Sequence, residues 1–210
     1  MIRRLSSGTY RLYSRKKMAK RASAKTSAHS ARARPRKSTS ARSSSSNVVK
    51  STSTMAALRA QLASALDWRD ANAGFDKVCD GVPVELRGKR PDGLPYSFWQ
   101  ILEHLRLAQR DILDFCRNPK YVEKKWPDDY WPRTDSPPTA AAWDESLASF
   151  RRDREALKKL AVDPTIDLFA KIPHGSGQTY LRELILVLDH NAHHVGQLIV
   201  VRRLLGAWAG

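Results

Sequence analysis

The stretch Leu188–Trp208, LDHNAHHVGQLIVVRRLLGAW, decides how the rest of the chain is read. It contains no proline, does not alternate with period two, and is apolar over much of its surface. Extended back to Thr179, just after the Gly-rich HGSGQ loop, it reads as one long helix, Thr179 to Trp208. Three of the chain's six histidines, His190, His193 and His194, lie on it, so their directions matter. At about 100° per residue, with His190 at zero, Val187 and Leu205 fall near 60° and Leu198 and Tyr180 near 80°. Asp189 and Arg203, near 260° and 220°, mark the solvent side. The large apolar positions average to a core direction of roughly 90°. His194, at about 40°, is then nearest the core, His190 is at its edge, and His193, at about 300°, lies outside. An i, i+4 pair on one face can share a metal ion, and here that pair is His190 and His194.

Three more helices are expected upstream. One runs from Met55 to Val78, with Leu58, Leu62, Ala65, Leu66 and Phe75 at helical spacing. The segment GVPVELRGKRPDGLP, with its three prolines and three glycines, ends it. The next starts at Ser97, which forms a capping-box pattern with Gln100, and continues to Cys116. The third follows the Ser136-Pro137-Pro138 stop, from Thr139 to Leu160. No segment alternates long enough to be a strand. Four such helices predict an all-α, antiparallel four-helix bundle, whose facing side chains can build a metal site in the core.

On the second helix, Phe98, Ile101, Leu105 and Ile112 define the buried side. His104 lies roughly 90° from its centre. From that flank it either reaches a neighbouring helix or is half exposed. Asp111, two turns further along, reads as an exposed helix acid. Of the other histidines, His29 is in the tail and His174 in the Gly-rich loop.

The formal charge of +16 invites a nucleic-acid reading, but its location argues otherwise. Residues 1–60 hold 16 Lys and Arg and no acid, whereas residues 61–210 hold 21 of each sign. The basic character therefore belongs to the tail. Residues 1–54 are mostly Ser, Ala, Lys and Arg and cannot bury enough apolar surface to offset ordering entropy, which predicts a disordered tail before a domain at 55–210. Three roles for that tail stay open: a solvated segment, a non-specific nucleic-acid arm, or a targeting segment or misplaced start, with Met18 and Met55 as alternative starts. Cys79 and Cys116 show no C-x-x-C spacing and read as buried, reduced thiols. No uninterrupted apolar run approaches the ~20 residues that span a bilayer, so no membrane partner and a cytoplasmic location are expected.

The segment SFWQILEHLRLAQRDILDFCRNPKY (Ser97–Tyr121), followed far downstream by H-x-x-x-H-x-G-Q (His190–Gln197), resembles the DinB-like family of metal-binding four-helix bundles. The resemblance covers residues from Met55 onward. It implies a divalent metal ion, zinc or nickel by the chemistry of an all-imidazole site, held by His104, His190 and His194. It thereby gives His104 a role that its angle alone leaves undecided. It sets Gln197 beside the metal ligands, either as an outer partner or as an ordinary helix-packing residue. The functions implied are a metal-dependent hydrolase or thiol-group transferase acting on a small molecule. The alternative is a non-catalytic metal-binding or stress-response bundle, and the family also permits a homodimer. A metalloprotease of the H-E-x-x-H type is disfavoured, because Asn191 stands where that design needs a glutamate. The connector 117–137, with Trp126, Tyr130 and Trp131, either caps the metal cleft or packs against the bundle end.

Overall fold

A computed structural model describes residues 3–4, 10–11, 43–67 and 73–208. In the tail, Arg3–Arg4 pairs antiparallel with Tyr10–Arg11. Every longer described element is helical: α1 Ser43–Ala65, α2 Phe75–Cys79, α3 Phe98–Arg117, α4 Ala140–Val162 and α5 Tyr180–Leu204. The expected first helix is thus divided and displaced. It begins twelve residues before Met55 because Ser43–Thr54 contains neither proline nor glycine to stop it. It ends at Ala65, and the short α2 starts afresh after Gly74, whose extended backbone (ψ 166°) is an N-cap rather than helix interior. Of the residues expected to be disordered, 43–54 are helical, with Thr52–Thr54 exposed. The remainder, apart from the two paired dipeptides, lies outside the described residues.

The other boundaries follow local chemistry. Ser97 accepts from the Gln100 amide while the Gln100 side chain accepts from the Ser97 amide, so two donors at the start of α3 are satisfied. Thr139 and Thr179 cap α4 and α5 through their hydroxyls in the same way. α5 stops four residues short of Trp208, since Gly206 takes a left-handed conformation (φ 70°) that terminates the helix.

Side-chain pairings fix the directions. Arg59 of α1 donates to the carbonyls of Ala161 and Asp163 at the end of α4, while Asp67 meets Arg154 and Lys158, so α1 and α4 are antiparallel. The Arg59 guanidinium also satisfies the unpaired carbonyls at that helix end. His104 meets His190 and His194, and Tyr96 meets Gln197, so α3 and α5 are antiparallel too. By contrast, Glu103 pairs with Ser146 and Arg110 with Asp153, which makes α3 and α4 run the same way. A chain leaving the end of α3 must therefore return along about 30 Å of helix before α4 can begin. That return is the crossover 118–139. Tyr121 and Tyr130 are bonded to Asp111, and the Asp135 carbonyl to Ser97, so the crossover climbs α3 from its last turns to its first.

The core has two apolar clusters. One contains Phe98, Ile101, Leu102 and Leu105 of α3 with Trp143, Phe150, Val195 and Leu198, and α2 packs here through Phe75 and Val78. The other joins Leu62 of α1 and Leu66 just after it with Ile112, Leu113, Leu157, Leu160, Leu184 and Val187. Cys79 and Cys116 are both buried, one in each cluster. Among the described residues, α5 alone is long and apolar enough by composition to cross a bilayer. Its Leu184, Val187, Leu198 and Val201 are buried within the bundle, whereas Ile185, Val200 and Leu204 are exposed.

Candidate metal centre

Between the two apolar clusters lies a polar layer. On α5 it falls in the interval from Val187 to Val195, and on α3 it begins at His104, between Leu102 and Leu105 of the first cluster. His104, one residue before Leu105, and His190 and His194 face one another here. Their relative exposures are 1%, 7% and 8%, low enough that water cannot satisfy the rings. One nitrogen from each ring can be chosen so that all three lie within 4.8 Å of one another, and His104 Nε2 and His190 Nε2 are 3.1 Å apart. Two imidazoles on one tetrahedral ion, with bonds near 2.05 Å, place their nitrogens roughly 3.3 Å apart. The cluster fits a single ion.

The outer ring nitrogens point to the same conclusion. His104 Nδ1 lies 2.9 Å from the Tyr130 carbonyl, which can only accept, so Nδ1 carries the proton and Nε2 the lone pair. His194 Nδ1 donates to Gln197 Oε1 at 2.6 Å, leaving its Nε2 as the second lone pair. Gln197 is itself anchored by its amide nitrogen to the Tyr96 hydroxyl. Metal-binding histidines use such partners to fix the tautomer and the ring plane. The buried His190 Nδ1 makes no hydrogen bond that meets ordinary geometry.

Burial also sets the charge. Desolvation holds His104 at about 4, His190 at about 3 and His194 at about 2, against an ordinary imidazole value near 6.5. Repulsion between neighbouring imidazoles lowers the last two further, while the Tyr130 carbonyl pulls His104 slightly back up. At neutral pH all three rings are neutral, and protons do not compete for their lone pairs.

The three candidate ligands named from the sequence are therefore brought together. His104, undecided between flank and core, is the most buried of them. His193 is exposed beside His194, as its angle required. His174 is exposed in its loop and bonds the Phe115 carbonyl at the far end of α3. Asp111 departs from expectation. It is 2% exposed, because the crossover covers it and supplies two tyrosine hydroxyls to its oxygens, at 2.9 and 2.7 Å. The crossover also covers the histidines: the Trp131 ring stacks on His104 at 4.0 Å and 4°, with Trp126 edge-on at 6.1 Å. Of its two readings, capping is the one observed. Asn191 is engaged with Gln109 at 2.8 Å, and Gln109 in turn holds the Phe150 carbonyl. A cavity of about 520 Å³ between α1 and α5, with Leu58, Leu62, Phe75, Leu188 and Val195 in its wall, is lined by none of the three histidines.

Among known protein families, the DinB superfamily matches residues 67–198, more than half of the chain and the whole span of the histidine cluster. The chain belongs to the DinB superfamily. Comparison with curated proteins and with solved structures gave no significant match. The superfamily match and the cluster together describe a DinB bundle in which three buried histidines could hold a metal ion. The match begins at Asp67 and ends at Leu198, and so takes in α2 to α4 and α5 as far as the histidines and one turn beyond, the parts that build the cluster and its cover.

Proposed function

We propose that His104, His190 and His194 of this DinB protein hold a divalent ion, zinc or nickel, and that the protein is a hydrolase or thiol-group transferase acting on a small molecule. The observation that carries the reading is three buried, neutral imidazoles from two helices whose nitrogens converge within 4.8 Å. Burying three imidazoles with ring nitrogens turned toward one another is costly unless those nitrogens share a partner, and a cation is the partner their lone pairs fit. A bound divalent ion supplies Lewis acidity that lowers the pKa of a water or thiol beside it. The chain's own contribution is to hold the ligands. The Tyr130 carbonyl orients His104, Gln197 orients His194, and the aromatic rings of the crossover keep water from the cluster. Asn191, already bonded to Gln109, is not a general base, which favours chemistry that activates a thiol or a water without a neighbouring carboxylate.

The near-complete burial of the three rings favours a second reading, a non-catalytic metal-binding bundle. One experiment addresses both. The protein is loaded with Co²⁺ as a spectroscopic probe, thiols are added, and the loaded protein is then screened with thiols and electrophiles. A change in the cobalt spectrum together with turnover supports the transferase. A spectrum unmoved by any thiol, with no turnover of electrophile or ester, leaves the binding role. Elemental analysis checks the ligands: His104→Ala, His190→Ala and His194→Ala should each lose most of the metal, and His193→Ala should keep it. Equal metal content in all four variants would remove the site.

A further inference from the structure

Tyr130 is held at both ends. Its main-chain carbonyl lies 2.9 Å from His104 Nδ1, and its hydroxyl donates to Asp111 Oδ2 at 2.7 Å. Asp111 stands on α3 seven residues after His104, two helical turns along the same face. These contacts close a ring: from His104 down two turns of helix to Asp111, across to the Tyr130 hydroxyl, and back through the Tyr130 carbonyl to the imidazole. Tyr130 closes a turn outside the helices, its amide donating to the Pro127 carbonyl at 3.0 Å, and that turn holds its amide rather than aiming its carbonyl. Asp111, on a packed helix and 2% exposed, is the rigid point to which it is tied.

We infer that Tyr130, anchored by Asp111, is a positioning residue for the metal centre: it holds the crossover so that the Tyr130 carbonyl fixes the His104 tautomer and presents Nε2 inward. The inference rests on the metal-binding reading above and deepens it by assigning the device that prepares one ligand. Three observations support it independently of each other. The carbonyl can only accept, so the contact selects one tautomer. Trp131, the next residue, lies flat on the same ring at 4.0 Å, so the pair grips the imidazole by its edge and its face. A buried carboxylate receiving two tyrosine hydroxyls from one connector is a stronger tether than either bond alone, because charge-assisted hydrogen bonds are the stronger kind.

Tyr121 supplies the control. Its hydroxyl donates to the other oxygen of Asp111 at 2.9 Å, but it sits nine residues earlier and has no bond to His104. Tyr121→Phe and Tyr130→Phe each delete one hydroxyl from the same carboxylate. They should therefore lower thermal stability by similar amounts. Only Tyr130→Phe loosens the residue that bonds His104.

The test uses the full chain with Zn²⁺ and Co²⁺, with affinities read by competition against a chromophoric chelator and helical content by circular dichroism. Tyr130→Phe should weaken both metals by about tenfold, the lower end of what loss of an outer hydrogen-bond partner causes. It should also alter the Co²⁺ absorption spectrum, while Tyr121→Phe leaves affinity within about twofold and the spectrum unchanged. Equal weakening by both variants would reduce Tyr130 to a general structural role and overturn the inference. So would wild-type affinity and spectrum in Tyr130→Phe. If the wild-type chain takes up neither metal, the metal-binding reading itself fails, and this inference fails with it.

Discussion

His104, His190 and His194 make the cluster sensitive to protons even without metal. In the unfolded chain each titrates near 6.5, whereas in the fold burial holds them between about 4 and about 2. The folded values are depressed, so the unfolded state takes up protons first as pH falls, and stability drops with it. In metal-stripped protein the three rings give no pH dependence above about 7.5, and stability declines from about pH 6.5 through about pH 4 toward about pH 2. Urea midpoints that stay level from about pH 7.5 to about pH 5 would show the rings to be solvated rather than buried. Single apolar residues carry comparable weight. Leu198 is fully buried on α5 one turn beyond His194, and Leu198→Ala should cost about 2–5 kcal/mol. Val200, two residues on and 46% exposed, is the contrast: Val200→Ala should fall within about 0.5 kcal/mol of wild type in the same urea melts.

The helices divide the work between ends and faces. Ser97 caps α3 and its hydroxyl also meets the Asp135 carbonyl near the end of the crossover, whereas Thr139 only caps α4. Ser97→Ala therefore loses both a cap and a tether, and should cost about 1–2 kcal/mol, against about 0.5–1 kcal/mol for Thr139→Ala. Equal costs in chemical denaturation would mean that the Asp135 contact contributes nothing. The crossover also shows why one element escaped the sequence. Its aromatic content was visible, but its path is set by the parallel orientation of α3 and α4, a relation between helices more than twenty residues apart. The same holds for Asp111: a helical wheel places it on the flank, and only the crossover buries it.

At the scale of the molecule, two apolar clusters flank the histidine layer, so the fold should stand without an ion. Chelated protein should keep its helical signal, and added metal should raise the melting temperature progressively with concentration, as a ligand of the folded state does. Loss of helix on chelation would instead make the metal a folding requirement. A chain beginning at Met55 should likewise keep its helical signal and its metal. The removed part of α1, Ser43–Thr54, precedes Met55 and Leu58, which pack against the core, and its Thr52–Thr54 are exposed. Collapse of that shorter chain would place structural weight on the tail.

The sequence by itself determined two helices to within two residues and the start of a third, whose end it set four residues too far, because capping pairs and glycine or proline stops act within a few positions of the chain. It also determined the ranking of the histidines on α5, since helical periodicity alone separates His194 and His190 from His193. For His104 the wheel stopped at the flank, and the family resemblance supplied the rest. What only the tertiary structure decided is everything that depends on how helices cross. The burial of Asp111, the seat of Trp131 on His104 and the bond from Tyr130 each join residues through space. Local propensity holds no information about such contacts. They arise when α3 and α4 pack in parallel and the connecting chain has to return across the face that carries His104.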